Sequence, residues 1–347
     1  MTHGMSEPLF DDSQEHRQRS TRKPRRTGRK ILFGFLALVL VLVATVGGYA
    51  WYLGRTFDKN SNTIPDEQVF GDKTPPPVDG KAMNILVLGA DEPMDQVDFS
   101  NSRGLRSDTI MVAHVPEDRS SIQFMSIPRD SWVDIEGHGK AKINAALSYG
   151  GLPLAVSTVE DFIGVPINHV AMIDFEGFQL LTDSVGGVDV ESSQAFSSRG
   201  HSFTKGTNHL DGEAALAFVR ARKQFADGDL QRARNQQAFM SSLFGKIVNA
   251  DTLSNPNKVT GMVRDFSPYM YLDSGLHSSA VSRYALSMRD IRSGDIDFFT
   301  APIAGTGRSS DGQAYVQVDE AELEEVRKAF NEDTVKEYAE NAEDQHL

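Results

Sequence analysis

The chain has no cysteine among its 347 residues, which removes disulfides, thiolate nucleophiles and cysteine metal sites together. It lacks a GxSxG elbow, the usual signature of a lipase-type serine hydrolase, and it lacks the P-loop lysine motif. Its nine histidines are never spaced HxxxH or HExxH, so a zinc protease has no ligands at the right spacing. Gly89 and Gly104 belong to no GxGxxG. One stretch lacks charge altogether. Residues 31–53, ILFGFLALVLVLVATVGGYAWYL, would make roughly 34 Å of helix, enough to cross a bilayer with some tilt. Trp51 and Tyr52 stand at its far end, where aromatic rings favour the headgroup region.

Eight basic residues, Arg17, Arg19, Arg22, Lys23, Arg25, Arg26, Arg29 and Lys30, crowd the approach to that stretch. Positive charge stays on the cytoplasmic side, so the expected topology is single-pass in the cell membrane, N-terminus cytoplasmic, the remainder extracytoplasmic. A cleaved signal peptide has a shorter apolar region, of about 7–15 residues, followed by a small-x-small site. The chain carries net −13, and its first thirty residues carry +4, which leaves −17 beyond them. A domain that acidic is a poor match to a nucleic-acid backbone, which opposes a transcriptional regulator and excludes nucleic acid as a partner.

Five segments follow from composition and periodicity: a basic cytoplasmic tail (1–30), the span (31–53), a Pro-rich extended stalk (54–82), a catalytic-sized domain (83–330) and an acidic, frayed tail (331–347). Within the domain, continuous apolar runs predict strands at Asn84–Leu88, Thr109–His114, Ser121–Ile127, His169–Phe175 and Asp297–Thr300. Leu152, Val156, Val159 and Ile163 keep the rhythm of a core-facing helix. Further helices are expected at Phe178–Val185, Asn235–Val248, Ser279–Arg292 and Glu320–Phe330. Strands and helices alternate without a strict βαβ period, so the expected fold is α/β, a mixed central sheet flanked by helices.

Against the acidic background, arginine recurs beside apolar sequence. Arg106 and Asp108 flank Ser107 before a strand, and in extended backbone they share a face; a structural ion pair is the alternative. Pro128 ends a strand and puts Arg129 at its edge. Arg220 and Arg222 emerge together if Val219–Lys223 is extended, an arrangement suited to an anion between them or to a solvated basic edge. Arg232 and Gln236 lie four apart at a helix start, with Asp229 as a candidate N-cap. Lys142 and Asn144 share a face if Ala141–Ala145 is extended. Asp91, Asp95 and Asp98 occupy a loop after the first strand, as metal ligands or as turn formers.

In order and spacing, N-I-L-V-L-G-A-D91, R-S-D-T109, S-I-P-R-D130, K-I-N-A-A146, D-G-E-A-A-L-A-F-V-R-A-R222 and D-L-Q-R-A-R-N-Q-Q237 resemble the LytR–CpsA–Psr family of membrane-anchored cell-wall enzymes. The resemblance implies a phosphotransferase that moves a glycopolymer from a polyprenyl-pyrophosphate carrier onto peptidoglycan through a phosphodiester. It implies Arg129, Arg220 and Arg222 as the pyrophosphate clamp, supported by Arg106 and Arg232. Asp91 and Asp108 would hold Mg²⁺, with Mn²⁺ as another option, and Lys142, Asn144 and Gln236 would contact phosphate or sugar. Pro93 departs from the family, which often has Arg there, and this leaves open which Asp of the 91–98 loop binds metal. A lipid carrier also calls for an apolar groove, expected where the helices at Leu152–Ile163 and Phe178–Val185 line it against the sheet. Two other readings use the same residues: a non-catalytic sensor for lipid-linked pyrophosphate, and a pyrophosphatase that uses water as acceptor.

Overall fold

The computed structural model describes residues 44, 45, 47–78, 80–90, 94, 97–99, 107–225 and 228–345. The chain divides into units 1–50 and 51–347. In the first, residues 44, 45 and 47–50 are helical. Most of the expected span lies outside the described residues, and among those described no helix is long and apolar enough to cross a membrane.

The second unit is built on seven strands: β1 (Asn62–Ile64), β2 (Met83–Ala90), β3 (Ser107–Val115), β4 (Ile122–Ile127), β5 (His169–Asp174), β6 (Met270–Asp273) and β7 (Ile296–Thr300). They run in the order β1-β6-β5-β2-β3-β4-β7. The β1–β6, β5–β2 and β4–β7 pairs are parallel and the other three antiparallel. The sheet is mixed, as the sequence pattern predicts. Alternation of side chains divides it cleanly. Leu86, Leu88, Ile110, Val112, Met125 and Ile127 face the helix Ala145–Ile163 through Leu152, Val156 and Val159. Ile85, Val87, Met111, Ala113, Phe124 and Phe298 form the other face and pack against Met240 and Phe244 of the helix Asp229–Ile247. Both faces are therefore covered, which is why the strands read as unbroken apolar runs.

A further core joins the helices Phe175–Ser184, Gly212–Val219 and Asp229–Ile247 through Leu181, Phe218, Phe239 and Leu243. Phe178 meets Phe239 in this cluster with ring centroids 4.7 Å apart and planes tilted by 40°. The two helical stripes expected to enclose a lipid groove thus belong to separate cores, and their apolar residues are used in packing.

Both ends of the domain differ from expectation. The extended segment 54–82 is interrupted: residues 51–60 are helical, Asn62–Ile64 adds a strand, and Asp66–Phe70 forms a short helix with Ile64, Val69 and Phe70 buried. Ile64 and Val69 carry enough apolar surface to seat a polar-looking stretch on the sheet edge. The acidic end is not frayed through residue 345. The helix Val335–Gln345 follows Glu320–Glu332, buries Val335 and Ala339 and sets Tyr338 against Phe299. Burial, helped by a bond to Glu322, pushes the Tyr338 phenol well above its ordinary value.

Candidate active site

One end of the sheet gathers the residues of interest. Register pairs Ala90 with both Ser107 and Asp174, and β4 ends at Ile127 immediately before Pro128. Asp108, Arg129 and Phe175 are thereby delivered to the same end of the sheet by β3, β4 and β5, with β2 lying between β5 and β3. Ser107 fixes the start of β3, its hydroxyl donating to the Gly89 carbonyl at 3.0 Å.

The Gly212–Val219 helix brings in the arginine pair. Asp211 caps it by accepting from Ala214 N at 2.9 Å, the role expected of an N-cap aspartate. Gly212 is required by close approach: a Cβ there would meet the Gln179 carbonyl oxygen at 2.4 Å. Arg220 is the helix C-cap, with φ −97° and ψ −5°, so the pair is not extended as the sequence suggested. The helix end turns both side chains to the same cavity instead. Arg220 lies 4.2 Å over the Phe175 ring, a cation–π contact that holds its direction. Phe175 opens a helix capped by Asp174, which accepts from Gly177 N at 2.8 Å. Burial, with the neighbouring Glu176, raises the Asp174 carboxyl above the usual carboxylate range.

Two cavities meet at Arg129. The first, about 460 Å³, is lined by Arg129, Arg199, Arg220, Arg222, Lys223, Arg232 and Gln236, with Asp108 as its carboxylate. Asp108 bonds the Arg129 guanidinium directly and sits 3.9 Å from Arg220 Nη2. The Arg129 Nε is buried and has no hydrogen-bond partner among the described residues, a donor left over for an oxygen ligand. Among the described residues, six cations against one carboxylate make a site for an anion with several oxygens.

The second cavity, about 520 Å³, shares Arg129 and Arg222 and adds Asp130, Lys140, Lys142 and Asn144. Lys142 pairs with the buried Asp130 at 3.1 Å, and Arg222 stands 3.9 Å from it. The extended backbone stops at Lys142, and Asn144 is the N-cap residue of the following helix; both nonetheless line this cavity. Arg232 and Gln236 fall on one helical face as expected, although the helix is capped by Gly228 rather than Asp229. Arg106 and Asp91 lie outside the described residues.

Several lining residues went unread in the sequence. Arg199 occupies the tip of the Phe196–Ser198/His201–Phe203 hairpin with φ 49°, followed by Gly200 at φ 89°, the paired positive values of a two-residue hairpin turn. Asp311 and Gln313 come from the Ile303–Arg308/Ala314–Val318 hairpin. Its Asp311-Gly312 pair is a legible turn signal.

A model of the LytR_cpsA_psr family matches residues 53–332. The chain belongs to the LytR–CpsA–Psr family. It is 36% identical over 233 residues to the polyisoprenyl-teichoic acid–peptidoglycan teichoic acid transferase TagU of Bacillus mycoides (strain KBAB4), covering 65% of this chain and 74% of that one. To the TagU of Enterococcus faecalis (strain ATCC 700802 / V583) it is 32% identical over 308 residues, covering 87% and 96%. Among solved structures, B. subtilis TagV matches with a TM-score of 0.62 and 29% identity over 74% of this chain and 98% of that one. A structure of TagT bound to LI-WTA matches with a TM-score of 0.56 and 26% identity, covering 73% and 91%.

Proposed function

We propose that this LytR–CpsA–Psr protein is a phosphotransferase that moves a glycopolymer from a polyprenyl-pyrophosphate carrier onto peptidoglycan. The observation that carries the reading is the cavity in which Arg129, Arg220, Arg222 and Arg232 surround Asp108. Its family membership and its TagU relatives support the same chemistry. A hydroxyl oxygen of the acceptor attacks the phosphorus next to the glycopolymer, and the bond from that phosphorus to the bridging oxygen breaks. Polyprenyl phosphate leaves, a phosphodiester remains, and the hydroxyl proton passes to water in the open cavity. Such a loose transition state needs positioning and charge neutralisation more than covalent help. Arg129, Arg220 and Arg222 hold the phosphate oxygens and neutralise charge on the departing phosphate. The Phe175 ring lies 4.2 Å from the Arg220 guanidinium and orients it beside Asp108.

A divalent cation fits the donor set in outline. Among the described residues no group of three metal-ligating side chains is assembled, but Mg²⁺ is commonly held by one or two carboxylates plus substrate phosphates. Asp108 would supply one carboxylate and Asp91 the other, and Mn²⁺ could take the same place. When bound, the ion would neutralise pyrophosphate oxygens.

The charge pattern around 17–53 supports a single membrane span with the catalytic domain outside, where a lipid-linked donor already carries the energy of its pyrophosphate bond and no nucleotide is needed. Paired titration and turnover test the reading against a sensor. Asp108→Asn should abolish transfer while donor binding weakens less. Tighter donor binding by this variant, with no turnover by the parent, would make the protein a binding module.

A further inference from the structure

We infer that the second cavity is a saccharide subsite for the acceptor glycan, which rests on the transferase reading and adds where its second substrate lies. Its lining differs in kind from the arginine cavity. Beside Arg129, Arg222 and Lys142 it presents Asp311 and Gln313, with Trp132, His138 and Tyr149 as aromatic walls. Neutral and acidic hydrogen-bonding groups next to aromatic faces suit a hexosamine, whose hydroxyls and amide need both donors and acceptors and whose C–H face lies on a ring.

The walls are built rather than incidental. Tyr149 stacks on His138 at 4.6 Å and 13°, and Trp132 stacks on Tyr315 at 4.7 Å and 23°. Tyr149 remains 48% exposed despite its size, an unusual position for an aromatic ring with a packing role alone. Gly151, at φ +66°, breaks the Ala145–Ile163 helix and separates the turn bearing Tyr149 from the buried stretch beyond. On the far side, the Ile303–Arg308/Ala314–Val318 hairpin is tied to the site by Val316 N donating to the Asp130 carbonyl at 2.9 Å. Its tip holds Asp311 with Gln313 Nε2 at 2.6 Å and the Ser309 hydroxyl. Those bonds keep the Asp311 carboxyl below the usual carboxylate range, so it is an acceptor at neutral pH.

Position decides between two sources of sugar. Arg129 and Arg222 border both cavities, so a phosphorus held between them has the arginine cavity on one side and the aromatic cavity on the other. In-line displacement requires nucleophile and leaving group on opposite sides of phosphorus. The carrier phosphate takes the cationic side, and the attacking sugar hydroxyl the other.

The chain has two tryptophans, Trp51 and Trp132, so a full-length Trp51→Phe protein in detergent reports from the cavity alone. Titration with a soluble peptidoglycan tetrasaccharide should change Trp132 emission saturably. Tyr149→Ala and Gln313→Ala should each weaken that binding, and raise the acceptor KM, by about fivefold to tenfold, the size of one stacking or hydrogen-bond contact. The donor Kd should stay within about twofold and kcat should change less than KM. An unmoved Trp132 signal, or an unchanged acceptor KM, overturns the subsite even if transfer proceeds. A raised donor Kd instead assigns the cavity to the donor's own sugars and also overturns it. Saturable tetrasaccharide binding in a protein with no transfer activity would uphold the subsite and sink the transferase reading alone.

Discussion

Arg220 and Arg222 carry different neighbours and should fail in the same way. Arg220 is braced by Phe175 at 4.2 Å, and Arg222 faces Asp130 at 3.9 Å; both open onto the cavity that Arg129 borders. Removing either takes away a charge-assisted contact to a developing anion, worth roughly 3 kcal/mol. Arg220→Ala or Arg222→Ala should therefore lower transfer by at least ~10²-fold with circular dichroism unchanged. Lysine should rescue poorly, because an ammonium cannot reproduce the guanidinium fork. Near-normal turnover by folded alanine variants would reduce the pair to a solvated basic edge. These side chains were legible because arginine in an acidic chain, at repeated strand and helix ends, has few structural uses. Arg199 was not: one Arg-Gly pair in a polar stretch gives no hint that a hairpin returns it to a distant cavity. The sequence left open an ion pair of Asp108 with Arg106, which lies outside the described residues; the geometry gives Asp108 Arg129 and Arg220 as neighbours.

At the scale of elements, the helix bearing the arginine pair depends on a glycine. With the Gln179 carbonyl 2.4 Å from the place of a Cβ, Gly212→Ala has to push two helices apart. Overpacking of this kind costs typically ~1–3 kcal/mol, so the variant should melt earlier, and transfer should fall further than stability because Arg220 and Arg222 ride on the displaced helix. A melt and activity equal to the parent would show that the contact yields easily. The Asp174 cap offers a pH-dependent test. Burial raises its carboxyl above the ordinary aspartate value of 3.8, so the folded state holds its proton more tightly than the unfolded chain does. That contribution is fully present below pH 3.8 and is lost as pH rises through the folded value. Asp174→Asn keeps a capping oxygen without the buried charge, so its melting temperature should exceed the parent's at pH 7, with the advantage shrinking as pH falls towards 4. Strand and helix interiors were legible from periodicity alone. The strands of the hairpins 132–142 and 303–318 were not, because short polar strands lack an apolar signal, although Asp311-Gly312 offered the turn of the second. Lys142 and Asn144 were joined by a turn rather than by extended backbone.

For the whole molecule, the expected orientation predicts that protease added outside spheroplasts removes the segment beyond Gly54 and leaves the basic tail intact. Protection of the entire chain would overturn the lipid-carrier argument with the topology. The mixed sheet could be foreseen from alternating runs, whereas its edge strand Asn62–Ile64 and the docked helix Val335–Gln345 could not. Both are short or acidic segments whose few apolar residues find partners only in the folded domain. The proposed reaction moves phosphorus from carrier to peptidoglycan. It is tested most directly by incubating the full-length protein in vesicles with polyprenyl-pyrophosphate-linked glycopolymer, peptidoglycan and Mg²⁺, and measuring both products. The transferase reading predicts polyprenyl monophosphate and a phosphodiester-linked glycopolymer–peptidoglycan adduct in equal amounts. Polyprenyl monophosphate accompanied only by free glycopolymer phosphate, or donor bound without either product, would contradict it.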